Sequence, residues 1–289
     1  MKRLLLIGGN SRFGVALIGD ALSHGWTVGA TSRTNPGNNG PAGVSWRFLD
    51  LTIRRSIDDL TLRDFDHVIL LAAQTSIRDC ELHPFASRQV NVIGTSHLIK
   101  KLDRHMVPFT FISSRQVFGP WQYFPLPKEE RRPECEYGHQ KRVVEDLVFA
   151  SGFGRVLRMT KVLSTSEPLF DSWIIAANNG SVMKAFSNVS ISPITQDFAV
   201  GFVLRSVENE GSARVLHATA PDEVSYADAA QYILSLMGRP SELLWRAESD
   251  GLPDGGVVGP HAALGLSNPR DASVPSLSAI RMYFDSAAH

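Results

Sequence analysis

A chain of 289 residues has room for one large or two unequal domains, and for a core that needs no disulfide staples. Its 29 Lys plus Arg balance 29 Asp plus Glu, which leaves no electrostatic footprint for DNA, RNA or an anionic membrane. The two cysteines, Cys80 and Cys135, lie far apart with no Cys-x-x-Cys and no clustered histidines, so neither a metal site nor a disulfide framework is expected.

Arg3-Leu4-Leu5-Leu6-Ile7 reads as a buried strand. The glycine-rich turn Gly8-Gly9-Asn10-Ser11-Arg12-Phe13-Gly14 then runs into residues 15–22, whose apolar spacing is helical. The unpaired N–H groups and positive dipole end of such a helix accept a diphosphate where no Cβ blocks the approach. Gly-x-Gly-x-x-Gly is not met; Gly-x-x-Gly-x-x-Gly is met at Gly8 and Gly14, with Ser11 in the middle place. Dinucleotide binding by Gly8, Asn10, Ser11, Arg12, Phe13 and Gly14 is the expectation. The alternative is a ligand-free turn with positive φ and close packing at Gly14. Lys2-Arg3 ahead of an apolar run mimics a signal peptide, but the run stops at Gly8, and no later run is long enough to span a bilayer. A soluble cytoplasmic protein is expected.

Residues 26–31 read as the second strand. The residues closing it, Thr31-Ser32-Arg33, contain no carboxylate for a ribose 2′-OH. Arg33, with Arg12 closing on the same group, suits a 2′-phosphate, which favours NADP over NAD. Breakers mark a loop over 35–41. A third strand over 44–49 ends at Asp50-Leu51, and 56–60 is a short helical or irregular piece. His67 to Ala73 reads as a fourth strand, where Leu71, Ala72 and Ala73 would let a cofactor ring lie against the backbone. Gln74 leaves the sheet at its carboxyl edge, where open α/β sheets bind ligands. A long helix from Pro84 to Leu102 and a fifth strand over 109–112 follow. This alternation predicts a doubly wound α/β fold with a parallel sheet.

Strand five ends in Ser113-Ser114-Arg115-Gln116, and beyond a proline-rich stretch Tyr137 and Lys141 open a helix at i and i+4, on one face. A phenol is a poor proton donor or acceptor at neutral pH unless its phenolate is stabilised, and an ammonium one turn away does this by Coulomb attraction. Tyr137 is then a general acid and base, Lys141 its partner and a ribose ligand, and Ser114 a hydrogen-bond donor to the substrate oxygen. Taken singly, the Tyr and Lys could be an exposed packed pair and the serine a cap. A sixth strand over 155–159 leads to Thr160-Lys161, where Arg158 or Lys161 could meet a substrate diphosphate or form a structural ion pair. Helices are expected over 170–176, from Ser225 and over 276–284, a short strand over 215–218, and a loop over 251–260. The division expected is a dinucleotide-binding Rossmann domain over 1–160 and mainly a substrate-binding lobe over 161–289, with some segments returning to the first.

With these residues in place, the chain resembles the extended short-chain dehydrogenases/reductases of the NAD-dependent epimerase/dehydratase superfamily. The residues concerned are the Gly8 to Gly14 turn, Asp50-Leu51, Leu71-Ala72-Ala73-Gln74, Asn91, Ser113-Ser114 before Val117-Phe118-Gly119, and Tyr137-x-x-x-Lys141 with Glu145. Within that superfamily it is most similar to the dTDP-4-dehydrorhamnose reductases. The resemblance implies NADPH-dependent reduction of a 4-keto-6-deoxy nucleotide sugar in deoxysugar biosynthesis, with Ser114 as partner of the substrate hydroxyl, Tyr137 as proton donor and Lys141 as partner of the ribose and phenol; Gln74, Gln116 and Lys161 are further candidates at the substrate, and a homodimer is left open. Arg115 and Gln116 stand where 4,6-dehydratases carry an Asp-Glu pair, so water elimination is disfavoured. A nucleotide-sugar 4-epimerase holding NAD tightly, or a non-catalytic dinucleotide-binding regulator, are the alternatives.

Overall fold

The computed structural model describes residues 2–34, 41–209, 213–249 and 259–287. The loop expected over 35–41 and most of that over 251–260 lie outside the described residues. The chain divides into two compact units, Met1–Val117 with Arg131–Arg158 and Val200–Leu216, and Phe118–Glu130 with Met159–Ala199 and His217–His289.

The first unit begins with β1 (Arg3–Ile7), α1 (Arg12–Ser23), β2 (Thr27–Ser32) and β3 (Ser45–Phe48). It continues with α2 (Arg54–Asp58), β4 (His67–Leu70), α3 (Ile77–Leu82) and α4 (Pro84–Arg88). A π-helical turn (Gln89–Gly94) leads into α5 (Thr95–Arg104), followed by β5 (Phe109–Ser114), α6 (Glu136–Ala150) and β6 (Gly154–Met159). With the strand Val215–Ala218 they make a seven-stranded sheet in the order Val215–Ala218, β6, β5, β4, β1, β2, β3. β1 pairs in parallel with both β2 and β4. The strand order therefore runs outward from β1 in both directions, and the carboxyl ends of β1 and β4 form the switch point at which such sheets bind ligands. The expected doubly wound parallel fold is borne out.

Burial explains the pattern. Leu4, Leu5, Leu6 and Ile7 are buried on both faces of the sheet. Leu98, Ile99 and Leu102 of α5 and Val144 and Val148 of α6 join Leu5, Ile7, Val68, Leu70, Phe109 and Phe111 in one core. Burying each such side chain fully stabilises the fold by about 1.5–3 kcal/mol before the entropy cost.

Two local departures from the sequence reading matter for the site. The fourth strand stops at Leu70 rather than Ala73, because the N–H groups of Leu71 and Ala72 both donate to the Ile7 carbonyl, at 3.0 and 2.8 Å, and curl the chain around the end of β1. The long helix from Pro84 is broken by the π turn. At its end Gly94 lies so close to the preceding loop that a Cβ would sit 2.1 Å from the Leu51 carbonyl oxygen.

In the second unit Lys161–Leu163 pairs in parallel with Pro193–Thr195, Leu244–Ala247 in parallel with Met183–Phe186, and Val224–Ser225 antiparallel with Ser190–Ile191. The helices Pro168–Asn178, Tyr226–Leu236 and Ser276–Ala287 are present where helices were expected. They bury Phe170, Trp173, Ile233, Leu234, Ile280 and Tyr283 in one core. Among the described residues no helix is long and apolar enough to cross a membrane.

Candidate active site

The glycine turn closes the end of β1. Gly8 has φ +88°, and a Cβ there would lie 2.9 Å from Ala72. At Gly14 a Cβ would lie 2.7 Å from the Gly9 carbonyl oxygen, so α1 starts hard against the turn. Ser11 is the N-cap: its hydroxyl accepts from the Gly14 N–H at 3.0 Å and donates to the Gly8 carbonyl at 3.2 Å. In the middle glycine's place, then, stands a residue that pins the turn with its own side chain. Asn10, Ser11 and Arg12 are exposed, Phe13 is half-buried, and the first turn of α1 holds no acidic residue, which suits an anion at its N-terminus.

Arg33, exposed just past β2, faces Asp50 at the end of β3. Burial works to raise the Asp50 carboxyl, but hydrogen bonds from the Thr52 N–H and hydroxyl, at 2.8 and 2.7 Å, and the Arg33 charge outweigh it, holding the carboxyl below its ordinary range. At the exit of β4, Leu71, Ala72 and Ala73 are half-buried and Gln74 is exposed.

The backbone of Gln74 is gripped at both ends by one side chain. Its N–H donates to Asn91 Oδ1 at 2.7 Å, and its carbonyl accepts from Asn91 Nδ2 at 2.9 Å. Asn91 Nδ2 also donates to Gln140 Oε1 at 2.6 Å, while Gln140 Nε2 donates to Ser87 Oγ at 2.7 Å and to Glu136 Oε1 at 2.8 Å. This buried network ties α4 and the π turn to α6.

Between β5 and α6 the structure brings Ser114, Tyr137 and Lys141 together. Ser114 ends β5, where its hydroxyl accepts from the Gln116 N–H at 3.2 Å and is hydrogen-bonded to the Tyr137 phenol. Lys141 Nζ donates to the Ile112 carbonyl at 2.8 Å, 4.6 Å from the Phe111 ring centre and 5.6 Å from that of Tyr137. Gly138 permits this arrangement, since a Cβ there would lie 2.0 Å from the Gln116 carbonyl oxygen. Cys135 caps α6 through a 3.4 Å contact of its Sγ with the Gly138 N–H, and with Cys80 it packs against the Tyr137 ring. Both thiols are free, and burial raises their pKa values. Gln116 Oε1 lies 4.0 Å from Cys135 Sγ.

The electrostatics differ in one respect from the sequence reading, which has the ammonium lowering the phenol. Burial pushes the Tyr137 phenol above its ordinary 10.0, with Cys80 and Cys135 adding to the rise and the Ser114 hydrogen bond opposing it. Burial also lowers Lys141 to about 8, against the opposing pull of Glu145. Desolvation dominates both groups because each is almost wholly enclosed.

Next to Ser114, the Ser113 hydroxyl is buried with no hydrogen-bond partner. An orphaned donor at the carboxyl end of β5 fits a polar ligand at this edge of the sheet. Lys161 belongs to the second unit, where Nζ pairs with Glu167 Oε2 at 2.6 Å instead of standing ready for a diphosphate. Arg158 is likewise engaged, with Glu145 at 2.7 Å. Sequence reasoning assigned no site role to Asn91, Gln140 or the two thiols. The available signal was an asparagine within an apolar helical stretch, Val90-Asn91-Val92-Ile93.

A parallel sheet with a glycine turn at its switch point, and a Ser–Tyr–Lys group at the same edge, defines the extended short-chain dehydrogenase/reductase class. Residues 1–267 match the model of the RmlD substrate binding domain, and the chain belongs to that family. The expected enzyme class, an NAD(P)-dependent oxidoreductase of the extended type, is borne out by this membership. A Haloferax volcanii protein provisionally named low-salt glycan biosynthesis reductase is 25% identical over 68% of this chain and 68% of its own. A Methanocaldococcus jannaschii protein provisionally named UDP-glucose 4-epimerase is 24% identical over 50% of this chain; the match spans 49% of that relative, about half its length. Among solved structures, dTDP-4-dehydrorhamnose reductase from Bacillus anthracis in complex with NADP superposes with a TM-score of 0.82, at 13% identity, over 98% of both chains. UDP-glucose 4-epimerase from Thermus thermophilus in complex with NAD gives 0.74, at 16% identity, over 99% of both.

Proposed function

We propose that the chain is an NADPH-dependent reductase of a 4-keto-6-deoxy nucleotide sugar. The observation that carries this reading is the convergence of Ser114, Tyr137 and Lys141 at the ligand edge of the sheet, the edge that also carries the glycine turn. The residues assigned to the cofactor are Gly8, Asn10, Ser11, Arg12, Phe13, Gly14, Arg33, Asp50, Leu51, Leu71, Ala72, Ala73 and Lys141. Those assigned to the substrate are Gln74, Ser114, Gln116 and Tyr137; Lys161, held by Glu167 in the second unit, is left out of the set. A nicotinamide bound at this edge supplies a hydride.

The protein's own part is the proton. Burial keeps Tyr137 as the neutral phenol, the state from which it gives its proton to the sugar's keto oxygen. Ser114 holds that oxygen by a hydrogen bond and sets its approach. Once the proton has left, the phenolate lies within reach of the Lys141 ammonium, whose attraction is strong in an enclosed site. Tyr137→Phe removes the transferable proton and leaves the glycine turn intact. Turnover is expected to fall by about 10²–10⁴-fold while NADPH affinity stays near wild type; turnover within a few-fold of wild type overturns the assignment.

The second reading, a nucleotide-sugar 4-epimerase, is favoured by the likeness to epimerases and by the presence of Asp50 beside Arg33. NAD that co-purifies and resists dialysis would select it.

A further inference from the structure

Tyr137, Lys141 and Glu145 recur at four-residue intervals along α6 and so share one buried stripe. Among the described residues the Lys141 ammonium makes no direct contact with a carboxylate. The groups facing it are the Ile112 carbonyl and Phe111 ring from β5, the Tyr137 ring and Glu145 from α6 itself, and the Cys80 thiol from α3. Among these described groups Glu145 alone is a carboxylate.

Glu145 is fully buried and firmly held. Its two oxygens accept from Arg158 Nε at 2.9 Å and Arg158 Nη2 at 2.7 Å, and Oε2 also accepts from Arg131 Nη1 at 3.1 Å. Arg131 Nη2 in turn donates to Asp146 at 2.7 Å. Two guanidiniums and two carboxylates make a cluster of zero net charge, so the enclosed Glu145 is matched by fixed partners rather than by water. A cluster built only to fasten α6 to β6 has no need to stand one turn below the lysine that works with the phenol.

We propose that Glu145 is a positioning residue for the Ser114–Tyr137–Lys141 group: its fixed negative charge, clamped by Arg158 and Arg131, keeps the enclosed Lys141 ammonium charged while Tyr137 gives up its proton. This rests on the reading above, in which Lys141 acts with Tyr137. It also separates two roles for the cluster. An anchoring role alone changes stability; the electrostatic role changes the titration of a lysine to which Glu145 makes no bond.

The test is NMR of the full chain carrying lysine labelled at 13Cε, with the Lys141 signal assigned by its loss in Lys141→Met. In Glu145→Gln the titration midpoint of that signal is expected to fall by about one pH unit or more. Glu145→Asp should recover part of the shift. An unchanged midpoint in a folded Glu145→Gln overturns the proposal. Should that variant fail to fold, Arg131→Met decides, because it removes a cation that competes for Glu145: the midpoint must rise, and an unmoved one overturns the proposal. Turnover of NADPH with keto-sugar nucleotides is followed in parallel, and its alkaline limb should move with the midpoint. A shifted midpoint in a protein that reduces no such sugar upholds the role of Glu145 and counts against the reductase reading alone.

Discussion

Gly138→Ala tests whether the close seating of α6 sets the chemistry. The added methyl carbon would lie 2.0 Å from the Gln116 carbonyl oxygen and 3.0 Å from Pro133 Cβ. Both contacts are with rigid parts of the chain, so no flexible side chain can swing away. Bringing the first contact out to even 3.0 Å, below which real Cβ atoms essentially never approach, needs a movement of about 1 Å between helix and loop. That movement separates Tyr137 from Ser114, because one rides on α6 and the other ends β5 just before Gln116. Overpacking costs about 1–3 kcal/mol, and alanine's better helix propensity returns about 1 kcal/mol, leaving a net loss of roughly 0–2 kcal/mol. A displacement of this size at a reacting group costs on the order of 10²-fold in rate. Urea denaturation gives the first quantity and nicotinamide absorbance with a keto-sugar nucleotide gives the second. A variant with wild-type turnover would refute the claim that glycine is needed here for the approach of the helix.

Arg33→Ala should weaken NADPH binding by roughly 10- to 100-fold, the worth of a charge-assisted hydrogen bond to a 2′-phosphate, while NADH binding stays level or improves. Fluorescence titration measures both, and an equal effect on the two cofactors removes the basis for NADP. Asn91→Leu strands the N–H of Gln74 and the amide oxygen of Gln140 and leaves the Gln74 carbonyl only the Cys80 thiol; a stability loss of about 1–3 kcal/mol is expected in urea. Lys141 has a folded pKa of about 8 against an ordinary 10.5, so the unfolded chain binds the extra proton between those values. Its contribution to stability is therefore present above 10.5, shrinks as the pH falls, and is lost as the pH drops through about 8. The span is worth roughly 2–4 kcal/mol, and urea midpoints across that window should rise more in wild type than in Lys141→Met.

The parts of the fold visible in the sequence are those written in neighbouring residues. Four branched apolars before a glycine cluster mark β1 and its turn, and the four-residue spacing of Tyr137 and Lys141 places them on one helical face whatever surrounds the helix. The parts that were not visible depend on contacts across the fold. The end of β4 is decided by the Ile7 carbonyl taking two N–H groups, and the interruption after Arg88 goes with a helix that must pass Leu51 at Gly94 and hold Gln74 through Asn91. Glycine at 94 and at 138 looks in the sequence like a weakness in a helix, whereas in the structure each is the point where a helix meets another backbone carbonyl. The direction of the Tyr137 shift was hidden for the same reason, since spacing shows that an ammonium is near but not how thoroughly the phenol is enclosed.

That enclosure bears on which way the proton travels. Burial opposes charge on both groups, raising the phenol and lowering the ammonium, so the resting pair is pushed toward neutral Tyr137 beside a lysine that keeps its charge only up to about pH 8. A neutral phenol is ready to donate and poorly prepared to accept, which suits reduction of a carbonyl better than oxidation of an alcohol. The counterweight is the carboxylate below. If Glu145 supplies the field that holds Lys141 charged, removing it should harm the step that creates a phenolate more than binding, lowering kcat with little change in KM. An equal loss in both would place the defect in the shape of the site rather than in its charge.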